Sequence, residues 1–257
     1  MARAQRMSLL LALYVSVCPV CVARGADAVT PSPGPRLVLV RSIPLSVPAP
    51  SDLCLDRDGV HAWTVSDQTG FVYRLRLADG AVTATLRYRG EDPEGIWQDP
   101  RNGSLYVTEE RTRQVVHMDS TGRVIGRVTI AGLGGKANSG LEGITFSPVT
   151  GRFYVVQEKR PARLVEADST GHVVALHPVD YLLDLSGLTY DSEANELLII
   201  SDQSERISRV GMDGVLVSSW DTGVKNGEGI ALDRSRGRIY VVSDSEGKFY
   251  EFQVPWR

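Results

Sequence analysis

Cysteine is nearly absent from this 257-residue chain: there are three, and two of them, Cys18 and Cys21, fall within the first 23 residues. Cys54 stands alone beyond them, so no internal disulfide can brace the remainder. Its setting, Leu53-Cys54-Leu55, alternates as a half-buried strand does and predicts a buried, inert thiol. Histidine is almost as scarce, with only His61, His117, His172 and His177. None recurs at a fixed phase of the repeat described below, which argues against a soft-metal site, and no Ser–His–Asp arrangement is visible. Excess positive charge is missing too. The 28 Lys+Arg face 31 Asp+Glu, for a net charge of −3, which excludes a basic nucleic-acid surface. Helical periodicity is nearly lacking, and beyond residue 23 no apolar run reaches the length of a membrane span.

The first residues read as a targeting segment. Arg3 and Arg6 lie in a start without acids, and Leu9–Ala23 is a short apolar run interrupted by Pro19. This pattern predicts a secretory signal peptide over 1–23, cut after Ala23, with Ala26-Asp27-Ala28 as a second site. An uncleaved N-terminal membrane anchor is the alternative. Cleavage would leave 26 Lys+Arg against 31 Asp+Glu. Residues 24–35, rich in Pro, Gly and Ala, read as a flexible leader. Residues 36–257 read as one domain, and a periplasmic or secreted location is expected.

What the chain does have is a repeat. Five segments align: Pro50-Ser-Asp-Leu-Cys-Leu-Asp56, Pro93-Glu-Gly-Ile-Trp-Gln-Asp99, Leu141-Glu-Gly-Ile-Thr-Phe-Ser147, Leu185-Ser-Gly-Leu-Thr-Tyr-Asp191 and Gly227-Glu-Gly-Ile-Ala-Leu-Asp233. Their second positions, 51, 94, 142, 186 and 228, are spaced by 43, 48, 44 and 42 residues. Each is followed by a turn of Asp, Pro, Asn, Ser or Gly and then a β-branched or aromatic run such as Phe153-Tyr-Val-Val156 or Ile239-Tyr-Val-Val242. A third strand, a tight turn such as Asp79-Gly80 and a fourth strand complete the unit. Four short antiparallel strands at this period predict an all-β, five-bladed β-propeller. The fifth copy has only three strands. The segment Leu37–Leu45, ahead of copy one, supplies the missing one, so the N-terminal strand is expected to close the last blade.

In a propeller the first strand of each blade lines the axis. Its start and the end of the second strand lie on one face, because neighbouring strands alternate direction. That rule gathers Ser51, Glu94, Glu142, Ser186 and Glu228 at the channel mouth. Just outside come Asp67, Glu109, Glu110, Glu158, Asp202 and Asp244. Carboxylates this close repel one another, and a bound cation resolves the conflict. Oxygen-only ligands favour Ca²⁺, Mg²⁺ or Mn²⁺. Gly95, Gly143, Gly187 and Gly229 allow close backbone approach, and Asn138 and Asn226 could add carbonyl oxygens. Glu94, Glu142 and Glu228 are therefore the candidate metal ligands, with Ser51, Ser186, Asp67, Glu110, Glu158, Asp202 and Asp244 as rim or secondary residues. Paired carboxylates for glycoside chemistry also remain open. Gly132-Leu-Gly-Gly-Lys136 lacks the glycine spacing and the strand-to-helix setting of a phosphate loop. Lys159, Arg160 and Arg111 read as solvated surface.

The phrases Pro93-Glu-Gly-Ile, Val107-Thr-Glu-Glu-Arg111, Gly140-Leu-Glu-Gly-Ile144, Val156-Gln-Glu-Lys159, Asp184-Leu-Ser-Gly-Leu188, Ile200-Ser-Asp202 and Gly227-Glu-Gly-Ile230 together resemble the SdiA-regulated family of bacterial proteins, distant relatives of NHL-repeat propellers. The resemblance spans roughly residues 37–257 and implies a five-bladed propeller with an axial calcium site. The matching positions are Glu94, Glu142 and Glu228. Copy one departs from the family's Ser-Gly with Ser51-Asp52. Family membership implies no particular reaction. The expected function is an exported module that binds a small molecule or a protein at a calcium-ordered mouth, without a nucleic-acid partner or an integral span in the mature chain. The alternative is a metal-dependent hydrolase of phosphoesters, esters or lactones, in which the ion activates water and Glu110 or Glu158 takes its proton.

Overall fold

The computed structural model describes residues 34–133, 140–159 and 161–256. The expected signal peptide, most of the leader, Asn138, Arg160 and the lysine end of the Gly132–Lys136 segment lie outside them. Among the described residues there is no helix, and so none long and apolar enough to cross a membrane. Strand β1 (Leu39–Pro44) comes first in the chain and last in the ring. Blade 1 is β2 (Pro50–Leu55), β3 (His61–Ser66), β4 (Phe71–Arg76) and β5 (Val82–Arg89). Blade 2 is β6 (Pro93–Gln98), β7 (Leu105–Glu109), β8 (Gln114–Met118) and β9 (Val124–Thr129). Blade 3 is β10 (Leu141–Ser147), β11 (Arg152–Gln157), β12 (Arg163–Ala167) and β13 (Val173–Pro178). Blade 4 is β14 (Gly187–Asp191), β15 (Glu196–Ser201), β16 (Arg206–Val210) and β17 (Leu216–Asp221). Blade 5 joins β18 (Gly227–Asp233), β19 (Arg238–Ser243) and β20 (Lys248–Gln253) to β1. The innermost strands β2, β6, β10, β14 and β18 touch their neighbours in cyclic order, so the five sheets form a closed ring, as the repeat predicts.

The second strand of each blade explains why its sequence does not alternate. Along β15, Leu198 and Ile200 pack towards blade 5, while Leu197 and Ile199 pack towards blade 3. Along β19, Ile239 and Val241 face blade 4, and Tyr240 and Val242 face blade 1. A sheet covered on both faces needs apolar residues at every position, as a buried strand does. The core is accordingly divided into five clusters, one at each blade interface. Each fully buried Leu, Ile or Phe contributes about 1.5–3 kcal/mol.

Closure uses more than one strand. β1 pairs antiparallel with β20, from Leu39 opposite Phe252 to Pro44 opposite Lys248. Glu251 accepts from Arg41 at 2.6 Å and from Arg238 at 2.8 Å, linking the outer strand to the second strand of the same blade. Upstream, Leu37 N–H donates to Asp221 O at 2.9 Å, and Asp221 N–H donates to Pro35 O at 3.0 Å. Leu37 itself is buried in the core between blades 4 and 5. The segment before β1 thus fastens blade 4 as well, so the end of the expected leader is structured here.

Candidate functional site

The axial residues owe their aim to a local irregularity. In β2 the register slips between Pro50 and Asp52, in β6 between Pro93 and Gly95, in β10 between Leu141 and Ile144, and in β18 between Gly227 and Gly229. The residues skipped by the ladder include Ser51, Glu94, Glu142 and Glu228. A bulge frees one residue from pairing and re-aims its side chain. In blade 4, Ser186 stands just ahead of β14 and its N–H donates to Ile200 O at 3.0 Å.

These side chains meet in one cavity of about 350 Å³. It is lined by Ser51, Asp67, Glu94, Glu110, Glu142, Glu158, Lys159, Asp184, Ser186, Asp202, Glu228 and Asp244. All ten residues singled out from the sequence are among them. Nine carboxylates thus face one amine, Lys159, and that amine is paired with Glu158. Glu109 does not join them. It is buried and held by Tyr88, Thr112 and Arg127, so its place in the outer ring of the sequence reading is corrected to a structural one. The two serines act across blades: Ser51 favours the charged form of Glu94 in blade 2, and Ser186 that of Glu228 in blade 5.

The carboxylates are not equally spaced. Oxygens of Glu110, Glu142 and Glu158 lie within 4.8 Å of one another, as do those of Asp92, Glu94 and Glu110. Glu228 shares the cavity but belongs to neither group. Burial, reinforced by the Asp67 and Asp92 charges, pushes Glu94 up to about 9. Burial and Asp202 push Glu228 up to about 8. Glu142, enclosed and facing four other glutamates, is raised well above the usual carboxylate range. Asp184 rises to about 7 through burial and its contact with Asp202. The donors are hard oxygens whose ionisation is opposed by their own neighbours, a setting that suits a hard divalent cation.

Asp92 and Asp184 escaped the sequence reading. Both stand two residues before an axial position, Glu94 and Ser186, so the repeat phase itself held the signal. Asp52 escaped it more completely. It is fully buried beneath the mouth, where Oδ2 accepts from Ile96 N–H at 2.8 Å. Backbone N–H groups of Leu53, Ile144 and Ile230 also favour its charged form, but burial outweighs them and raises its pKa. N–H groups of three other blades therefore lie near one carboxyl from blade 1, which bonds that of Ile96 through Oδ2 while Oδ1 is buried without a partner. The glycines at the equivalent phase make room for it: a Cβ on Gly229 would stand 2.4 Å from the Asp52 carbonyl carbon, and one on Gly143 would stand 2.7 Å from Gly187 Cα.

The family model described as SdiA-regulated matches residues 43–253. Among solved structures, the Myxococcus xanthus glutaminyl cyclase is similar at 16% identity and a TM-score of 0.66, over 86% of this chain and 97% of that one. A chain of a nidogen/laminin complex is similar at 18% identity and a TM-score of 0.55, over 76% and 72%. Kuenenia stuttgartiensis hydrazine synthase is similar at 12% identity and a TM-score of 0.54, over 83% and 97%. At these identities the likeness is one of fold.

Proposed function

The chain belongs to the SdiA-regulated family, and from that premise we propose that its acidic mouth holds a hard divalent cation, with Ca²⁺ as the leading choice, in an exported binding module. The observation that supports this reading is the delivery of glutamates from three separate blades, each by the same bulge, into a cavity with nine carboxylates and one already paired amine. Glu94, Glu142 and Glu228 would hold the ion; Glu110 and Glu158 already stand at ligand spacing from Glu142, and Glu228 would have to close in from across the cavity. Ser51, Ser186, Asp67, Asp202 and Asp244, which line the same cavity, would serve as second contacts. The ion would supply charge neutralisation at the hub and an ordered platform for a small molecule or a protein partner. The signal-like pattern of residues 1–23 supports export, where millimolar calcium suits a weak, extracellular-type site.

Calorimetric titration of Ca²⁺ into the wild type and the Glu142→Gln variant tests the site. Heat is expected in the wild type, together with an affinity loss of about tenfold or more when one of the charged ligands is neutralised. Absence of heat in the wild type ends the proposal. Parallel titrations of Mg²⁺, Mn²⁺ and Zn²⁺ decide the ion, with Zn²⁺ expected to be the poorest fit for an all-oxygen site.

A further inference from the structure

The five inner strands end on the face opposite the acidic mouth, and their last side chains are of a different kind. They enclose a cavity of about 290 Å³ whose apolar wall includes Cys54, Leu55, Trp97, Phe146, Tyr190 and Leu232. All six are half-buried, so large apolar groups from five blades converge without covering one another. Cys54 packs against the core between blades 1 and 2, and burial pushes its thiol up, as the inert thiol of the sequence reading requires; the residue as a whole is half-buried and also lines this cavity. Asp52 and the closely packed glycines fill the axis between the two faces, so this cavity is separate from the mouth.

The chemistry of the wall is specific. Trp97 and Phe146 lie with ring centroids 5.3 Å apart. A second cavity of about 350 Å³ shares both rings and adds Tyr106, Phe153 and His117 between blades 2 and 3. His117 stacks flat on Tyr106 at 4.4 Å, and its Nε2 is buried with no partner. The charges at the rim are already matched: Arg101 grips both oxygens of Asp99, at 2.9 and 2.7 Å. Gln98 Oε1 is taken by Arg57 N–H at 2.7 Å, and the Tyr190 hydroxyl by Asn195 at 2.8 Å. A charged ligand would find no counter-ion there, and its desolvation would go uncompensated. A flat ring would find faces to stack on. The volume sits at the low end of small-molecule pockets, which run from about 300 to 1,000 Å³, so one or two fused rings fit.

We propose that this far-face cavity is a second binding site, taking a small uncharged aromatic molecule against Trp97 and Phe146. It is independent of the cation reading, and its test is run in EDTA so that the two stand or fall apart. The probe is 2-naphthol, compared with its charged isosteres 2-naphthoate and 2-naphthylmethylammonium, by calorimetry and by indole N–H resonances of the full chain. Trp97 is assigned by its loss in Trp97→Phe. Binding of 2-naphthol is expected to move the Trp97 resonance and leave that of Trp220, at the outer strand β17, in place. Each charged isostere is expected to bind about tenfold or more weakly. Ser192→Trp, at an exposed position on the rim, is expected to fill the entrance and remove binding without disturbing the fold, and Trp97→Ala to weaken it about tenfold. No binding of 2-naphthol, a shift at Trp220 in place of Trp97, unchanged affinity in Ser192→Trp, or equal affinity for the anion would each overturn the proposal.

Discussion

Glu94 and Glu228, with Glu142, Asp184 and Asp52, make the fold pH-dependent. The first two hold their protons more tightly when folded than a free carboxyl does, Glu94 to about 9 and Glu228 to about 8. Well below the ordinary value of 4.5, Glu94 and Glu228 keep their protons in either state. As pH rises towards 9, the unfolded chain releases these protons freely while the folded chain resists, so stability present at low pH is lost across that window. In chelator, the melting temperature is expected to fall between pH 5 and pH 9, and saturating Ca²⁺ to remove most of the fall. A melting temperature independent of pH in EDTA would contradict the enclosed, crowded mouth. Asp52 offers a contrast. Asp52→Ala leaves the Ile96 N–H buried without its acceptor and is expected to cost about 1–3 kcal/mol in urea unfolding, whereas Asp52→Asn keeps an acceptor and is expected to cost less. The charged ring was readable in the sequence because three glutamates share one repeat phase. Asp52 was not, because one aspartate in place of four glycines reads as a broken motif until the strands are seen to converge on it.

The bulge at the head of the inner strand is the element that turns sequence into site. The repeat showed which residues occupy the same phase, and turn residues marked where each strand stops. The glycine that follows each axial glutamate marks a bulge or a close approach in a strand, but composition alone does not say which residue the ladder skips. The same limit hid the far-face cavity: Trp97, Phe146 and Tyr190 each look like ordinary strand residues, and only the ring brings them to one opening. The close approach of the inner strands gives a direct test. Gly143→Ala would place a Cβ 2.7 Å from Gly187 Cα, whereas at Gly126 in β9 nothing lies within 4 Å. The first substitution is expected to destabilise by about 1–3 kcal/mol through overpacking. The second is expected to stay within about 0.5 kcal/mol. Urea denaturation of the pair distinguishes a tight hub from an open channel.

At the scale of the whole molecule, the ring depends on its first strand. The offset between a three-stranded fifth copy and a spare strand ahead of the first was legible in the sequence, and β1 occupies that place on β20. Removing residues 1–44 is expected to lower the melting temperature and leave the β20 edge unpaired. Such an edge recruits other chains, so gel filtration should show dimers or larger species. A monomer that melts like the wild type would mean that the clasp is dispensable. The pairing also fixes how the molecule responds to load. Because Leu39 lies opposite Phe252, the chain enters β1 and leaves β20 at the same end of the hairpin-like pair. Tension applied across those two points peels the hydrogen bonds apart in succession instead of shearing them together, so the clasp is expected to open under small forces in an optical trap.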